Sequence, residues 1–298
     1  MKKYLIYITF IGLWLISYTS NNFQFFFSFL FILTFGVLHG ANDFLIIEKI
    51  YKSKSLNYKF LYLTIIFISL IYFIYSPKVS LIIFVIFSSF HFGEQHYLEL
   101  NIKNNNLSSL YKLTLGLLIF NIIFYFKIEK VEQIISSILN FSIDLSLLKY
   151  SLIVLFMLFL LISLYFLRKK YYSNYNFIFS FFILALFLVI VMLSDLMWGF
   201  AIYFIIWHTI PSIKSQILFL YKEFNMLNLI KYIKKAFIYW ILAMVFLYIF
   251  FLYLSKSKMF DTAFFSFLNA ITIPHAILIH KMLNSYYSKD NLDASIKF

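Results

Sequence analysis

Hydrophobic residues fall along this chain in long runs broken by short polar punctuation. Such runs cover 4–19, 24–48, 58–76, 79–99, 110–126, 150–167, 176–195, 197–219, 235–254 and 261–283. Each is about the length an α-helix needs to cross the ~30 Å hydrocarbon core of a bilayer. The pattern predicts an all-α protein, a polytopic bundle of about ten transmembrane helices. The stretch 127–149 opens on Lys127, Glu129, Lys130 and Glu132 and continues with apolar residues at mixed spacing, so it reads as interfacial. Lys2 and Lys3 precede the first run, and no small-residue cleavage site follows at Thr19-Ser20-Asn21-Asn22, which predicts a retained helix. No polar block is long enough for a soluble domain, so residues 1–298 read as one integral-membrane domain.

The polar residues inside these runs are not scattered. All six histidines, His39, His91, His96, His208, His275 and His280, lie within predicted spans, and those spans are 24–48, 79–99, 197–219 and 261–283. Residues three and four apart share a helix face. That spacing gives four polar edges: Gly36, His39, Asn42 and Asp43; Ser88, His91, Glu94 and Gln95; His208, Ser212 and Ser215; Asn269, Thr272 and His275. Each edge belongs on the protein side of its helix, because polar groups in lipid are costly. Counting to the next end charge (Lys49, Glu99, Lys214 and Lys281) places His39, His91, His208 and His275 within ~6 Å of one depth at 1.5 Å per residue. His96 and His280 each follow a neighbouring histidine by five residues and face elsewhere. Gly36 and Gly40 form a small-xxx-small pair suited to close helix approach, and Pro211 and Pro274 sit beside two of the edges.

Composition agrees with the pattern: 63% of residues are hydrophobic and only 12% charged, about half the charged share of a soluble domain. The net charge of +13 would suit nucleic acid, but its distribution argues otherwise. With the N-terminus in the cytoplasm, only Lys78, Lys127, Lys130, Lys149, Lys256 and Lys258 of the 25 basic residues fall outside. That bias follows the positive-inside rule, predicts both termini cytoplasmic and leaves no charge for a nucleic-acid partner to explain. The partner it implies is the bilayer itself.

Four histidines at one depth, two of them with a carboxylate a turn away, point to an intramembrane metal centre. Neutral imidazole is the common nitrogen ligand of zinc, iron, copper and nickel. Asp43 and Glu94 are the carboxylates placed to orient ligand histidines, on their own helix or on a neighbouring one. The absence of cysteine excludes disulfides, thiolate metal sites and thiol catalysis. A nitrogen-rich set suits calcium and magnesium poorly. Neither a His-x-x-His-His box nor a Glu-x-x-His di-iron pattern is present. Two other readings are open on the residues alone: a haem-binding electron carrier with paired axial histidines, and a carotenoid, retinal or ion binder or transporter with helices broken at Pro211 and Pro274.

The sequence Phe35-Gly36-Val37-Leu38-His39-Gly40-Ala41-Asn42-Asp43, followed in order by Ser89-Phe90-His91-Phe92-Gly93-Glu94, Trp207-His208 and Pro274-His275-Ala276, resembles the Brp/Blh family of membrane β-carotene 15,15′-dioxygenases. The resemblance covers nearly the whole chain. It implies oxidative cleavage of β-carotene at its central double bond with O₂ and a histidine-ligated non-haem iron (Fe²⁺), giving retinal, in the cytoplasmic (inner) membrane of a bacterium. Carried onto this sequence, it makes His39, His91 and His208 iron ligands. The family pattern has a further histidine where this chain has Ser212, which makes His275 the fourth ligand, with His96 behind it. Asp43, Glu94, Ser212 and His96 are then the residues expected around the metal.

Overall fold

The computed structural model describes residues 2–97, 106–139, 144–171, 173–253 and 259–287. Glu99, Lys256, Lys258 and the C-terminal tail lie outside the described residues. Within them the chain is helical, with no strand. Eight helices are long and apolar enough to cross a membrane: Asp43–Tyr75, Pro77–His96, Leu107–Phe126, Leu145–Arg168, Asn174–Leu193, Leu196–Tyr221, Met226–Leu252 and Asp261–Tyr286. The first two predicted spans are instead shorter apolar helices, Tyr4–Ile16 and Asn21–Gly36. The protein is thus an all-helical membrane protein.

In chain order the α-helices are α1 (Lys2–Ile16), α2 (Asn21–Phe31), α3 (Asp43–Tyr51), α4 (Ser55–Tyr75), α5 (Pro77–Tyr97), α6 (Asn106–Phe126) and α7 (Ile128–Leu139). They continue with α8 (Leu145–Arg168), α9 (Asn174–Leu193), α10 (Leu196–Ile202), α11 (Ile210–Tyr221), α12 (Met226–Tyr253) and α13 (Met259–Tyr287). Polar residues at the run boundaries start them. The side chains of Ser20, Asp144, Ser173 and Asp195 accept backbone N–H groups at the heads of α2, α8, α9 and α10, satisfying donors that a helix start leaves open. Asp195, the break between two adjacent runs, is one such cap. The 12 residues of α7 are too few to cross a bilayer.

The span predicted over 24–48 departs most from a regular helix. A π-helical turn, Ile32–Gly36, follows α2, and the backbone then tightens through 39–42 before α3 begins. Asp43 N–H, which in a regular helix would bond the His39 carbonyl, bonds Gly40 O at 3.2 Å. Two glycines flanking one histidine lower the helical preference there, and hydropathy does not register the difference. A second π-helical turn, Tyr203–Thr209, precedes α11. Pro211 has no N–H for the Trp207 carbonyl four residues back, and the turn ends just before it.

By contact the chain divides into two compact units, each gathered from separate stretches. The first unit takes in the described residues of 1–32, 88–136 and 140–208. Its α6 packs on α8, and α10 on α2 and α9. Its buried core includes Tyr111, Leu118, Ile119, Phe159 and Phe166. The second unit takes in the described residues of 33–87, 137–139 and 209–298, built around α13 against α3, α4 and α12. Phe73, Ile46, Ile47, Ile217 and Phe267 are buried in it.

Candidate functional site

The second unit holds a histidine pair. His39 sits just past the first π-helical turn, where its Nδ1 is bonded to the Gly36 carbonyl. His275 follows Pro274 inside α13. Both are buried, at 5% exposure, and their rings meet edge to face with centroids 4.7 Å apart. Gly40 brings the backbone close: a methyl group there would lie 3.4 Å from His275 Nδ1.

The partners of these rings fix their tautomers. His275 Nδ1 lies 2.9 and 3.0 Å from the two oxygens of Asp43. A carboxylate and a peptide carbonyl only accept hydrogen bonds, so in the neutral rings both His275 and His39 carry their proton on Nδ1. The lone pair of each is then on Nε2, the arrangement found where a histidine ligates a metal with its other nitrogen backed by an acceptor. Asp43 therefore serves a histidine on α13 rather than one on its own helix. Tyr62, on α4, donates to the same carboxylate at 2.6 Å.

The tightened backbone at His39 turns its carbonyl over to side chains. Gln216 Nε2 donates to that carbonyl at 3.0 Å and also to Ser212 Oγ at 3.2 Å. The single proton of the Tyr232 hydroxyl is shared between the His39 carbonyl, at 3.0 Å, and Gln216 Oε1, at 2.8 Å. Asn42 Nδ2 in turn donates to the Tyr232 carbonyl at 2.9 Å. Ser212 thus supports the strand of backbone that carries His39.

The first unit holds the other pair. His91, on α5, and His208, in the second π-helical turn, are 2% and 1% exposed, with ring centroids 4.6 Å apart and nearly perpendicular. Phe92 and Phe204 pack on the His208 ring at 4.6 and 5.5 Å, sealing it in apolar surroundings. One turn from His91, Glu94 pairs with Lys112 of α6 at 3.3 Å, and both side chains are almost fully buried. The Lys112 ammonium also lies over the Phe90 ring.

Two glycines bring α5 and α6 together. A methyl group on Gly93 would overlap the Lys112 carbonyl, and one on Gly116 would overlap the carbonyl of Ser89. The glycine of His-Phe-Gly-Glu is therefore a contact point between helices, and it brings Lys112 to Glu94.

His96 is placed apart from His91. Its Nε2 is 2.9 Å from the Tyr203 hydroxyl and its ring stacks on Trp207. It borders a cavity of about 20 Å³ with Leu115, Asn176, Ser180 and Tyr203. His280 bonds Asn284 on its own helix. The sequence pattern did not single out Tyr62, Gln216, Tyr232 or Lys112. Gln216 alone carried a signal, one turn beyond Ser212 on the same face.

The donor set suits a transition metal: buried imidazoles in a chain without thiolates, two of them with Nε2 as the lone-pair nitrogen. A family model described as beta-carotene 15,15′-dioxygenase matches residues 30–283. No curated protein and no solved structure matches the chain.

Proposed function

We infer the chemistry from one premise: the chain belongs to the beta-carotene 15,15′-dioxygenase family, whose model spans residues 30–283. This makes it a membrane carotenoid dioxygenase by family. The finer reading proposed here is cleavage of β-carotene at its central double bond with O₂ at a non-haem Fe²⁺, yielding two molecules of retinal. His39, His91, His208 and His275 are proposed as the ligands. The family match carries this reading, and the depth shared by the four histidines in the sequence supports it. His39, His91 and His275 are buried and offer imidazole nitrogens of the kind a metal takes.

Bound ferrous iron supplies the redox chemistry that a closed-shell polyene and triplet dioxygen lack on their own. The protein's residues do the rest. Asp43 holds His275 in one tautomer and one orientation, and the Gly36 carbonyl does the same for His39. Gln216, Tyr232 and Ser212 brace the backbone behind His39. Phe92 and Phe204 keep water from His208, which protects reactive oxygen species from side reactions. Glu94 and Lys112 balance each other's charge beside His91.

β-Carotene is a long hydrocarbon that resides in lipid, so a site among membrane helices receives it without a passage through water. The proposal includes ten spans with both termini cytoplasmic, a single catalytic domain and residence in the inner membrane of a bacterium. The edge-to-face packing within each pair leaves no room for a porphyrin between its rings, which disfavours the haem-carrier reading.

Metal analysis tests this. Purified protein should hold about one iron per chain without a porphyrin absorbance band. His39→Ala, His91→Ala, His208→Ala and His275→Ala should each retain far less iron, with truncation of any one ligand leaving an incomplete set. Unchanged iron in all four variants would overturn the ligand assignment.

A further inference from the structure

Tyr62 has no part in the sequence motifs, yet its hydroxyl ends a chain of hydrogen bonds that leads to a proposed ligand. It stands on α4, packs its ring against Phe44 with centroids 5.7 Å apart, and donates to Asp43 Oδ2 at 2.6 Å. The same oxygen is 2.9 Å from His275 Nδ1, and the other carboxylate oxygen is 3.0 Å from it. Asp43 is 2% exposed at the head of α3, and His275 is on α13, so three helices of one unit meet at this carboxylate. We propose that Tyr62 is a positioning residue for His275, acting through Asp43. This rests on the reading of His275 as a metal ligand.

A buried carboxylate with one partner can turn about its Cβ–Cγ bond and present either oxygen. A second donor on the shared oxygen, held by a rigid ring, removes that freedom. The carboxylate then accepts the His275 Nδ1–H in a single geometry, and the imidazole lone pair stays on Nε2. Charge-assisted hydrogen bonds of this kind are short and strong, and partners behind a ligand histidine typically change metal affinity by about 10–100-fold. Tyr62 is one bond further back, so the expected effect is smaller, about threefold to tenfold.

Tyr62→Phe removes the hydroxyl and keeps the ring against Phe44. The test compares wild type and Tyr62→Phe, both metal-free, by nitrogen NMR of protein carrying ¹⁵N-histidine, with the His275 signals assigned by their loss in His275→Gln. Asp43 only accepts in both proteins, so the Nδ1–H tautomer at His275 is expected in each; loss of the second donor should show as a shifted and broadened His275 Nδ1 signal in Tyr62→Phe, with His91 and His208 unchanged as internal controls of folding. Titration with ferrous ion should then show the weaker affinity, and Asp43→Asn should remove any further effect of Tyr62→Phe. A His275 Nδ1 signal unchanged in position and width in Tyr62→Phe overturns the proposal. Should that variant misfold and move all the histidine signals, Tyr62→Met fills the space with a flexible side chain and the same two outcomes decide. If wild type binds no iron, the metal reading fails, while the comparison of the His275 Nδ1 signals still decides the role of Tyr62.

Discussion

A histidine in a membrane span is informative because no water is present to satisfy it. The positions of His39, His91, His208 and His275 could therefore be read from the sequence, as could the carboxylates near two of them. The partner of Asp43 could not, since helical spacing describes one helix and Asp43 serves a histidine 232 residues away. Tyr62 and Tyr232 were hidden for another reason: the chain has 24 tyrosines, and nothing in their spacing marks these two. By elimination from the six outer lysines, Lys112 counts as a cytoplasmic charge in the positive-inside pattern, whereas it is buried against Glu94. Taking one partner from a buried ion pair typically costs about 3–5 kcal/mol, because a charge is left without its counterpart. Lys112→Met should lower stability by that amount in detergent unfolding. Lys112→Met combined with Glu94→Gln should recover most of it. A single variant as stable as wild type would mean that the pair does not hold α5 and α6.

Helices were legible as elements, and their regularity was not. Hydropathy placed nearly every run within a few residues of a helix, yet it predicted one continuous span over 24–48 where the backbone changes hydrogen-bond pattern twice. The change depends on Gly36, Gly40 and the side chains that capture the His39 carbonyl, and an apolar run records none of these. Gly36 and Gly40 have the spacing of a close-packing pair, but the tightest glycine contacts are those of Gly93 against Lys112 and of Gly116 against Ser89, between α5 and α6. Since each opposes backbone, the clash cannot be relieved by a side-chain rotation. Gly116→Ala should therefore cost more than the about 1–3 kcal/mol of ordinary overpacking, and its unfolding midpoint would show it. Gly40→Ala is the contrast, because its methyl group meets His275 at an ordinary 3.4 Å and should cost far less. Equal effects of the two would remove the argument for a glycine-dependent crossing.

For the molecule as a whole, composition alone settled the solvent: a chain 63% hydrophobic and 12% charged belongs in a bilayer. The sequence did not reveal that the chain gathers into two compact units, because each unit draws on separate stretches and one boundary falls inside α5. Each unit carries one buried pair of histidines, His91 with His208 and His39 with His275. Family membership supplies the carotenoid, and the central position of the cut is the claim that most needs testing. The most direct measurement is the product formed when purified, iron-loaded protein is incubated with β-carotene and O₂. The account predicts retinal as the sole product, two molecules for each β-carotene consumed. Fragments of unequal length, or unchanged β-carotene in the presence of folded, iron-loaded protein, would contradict it.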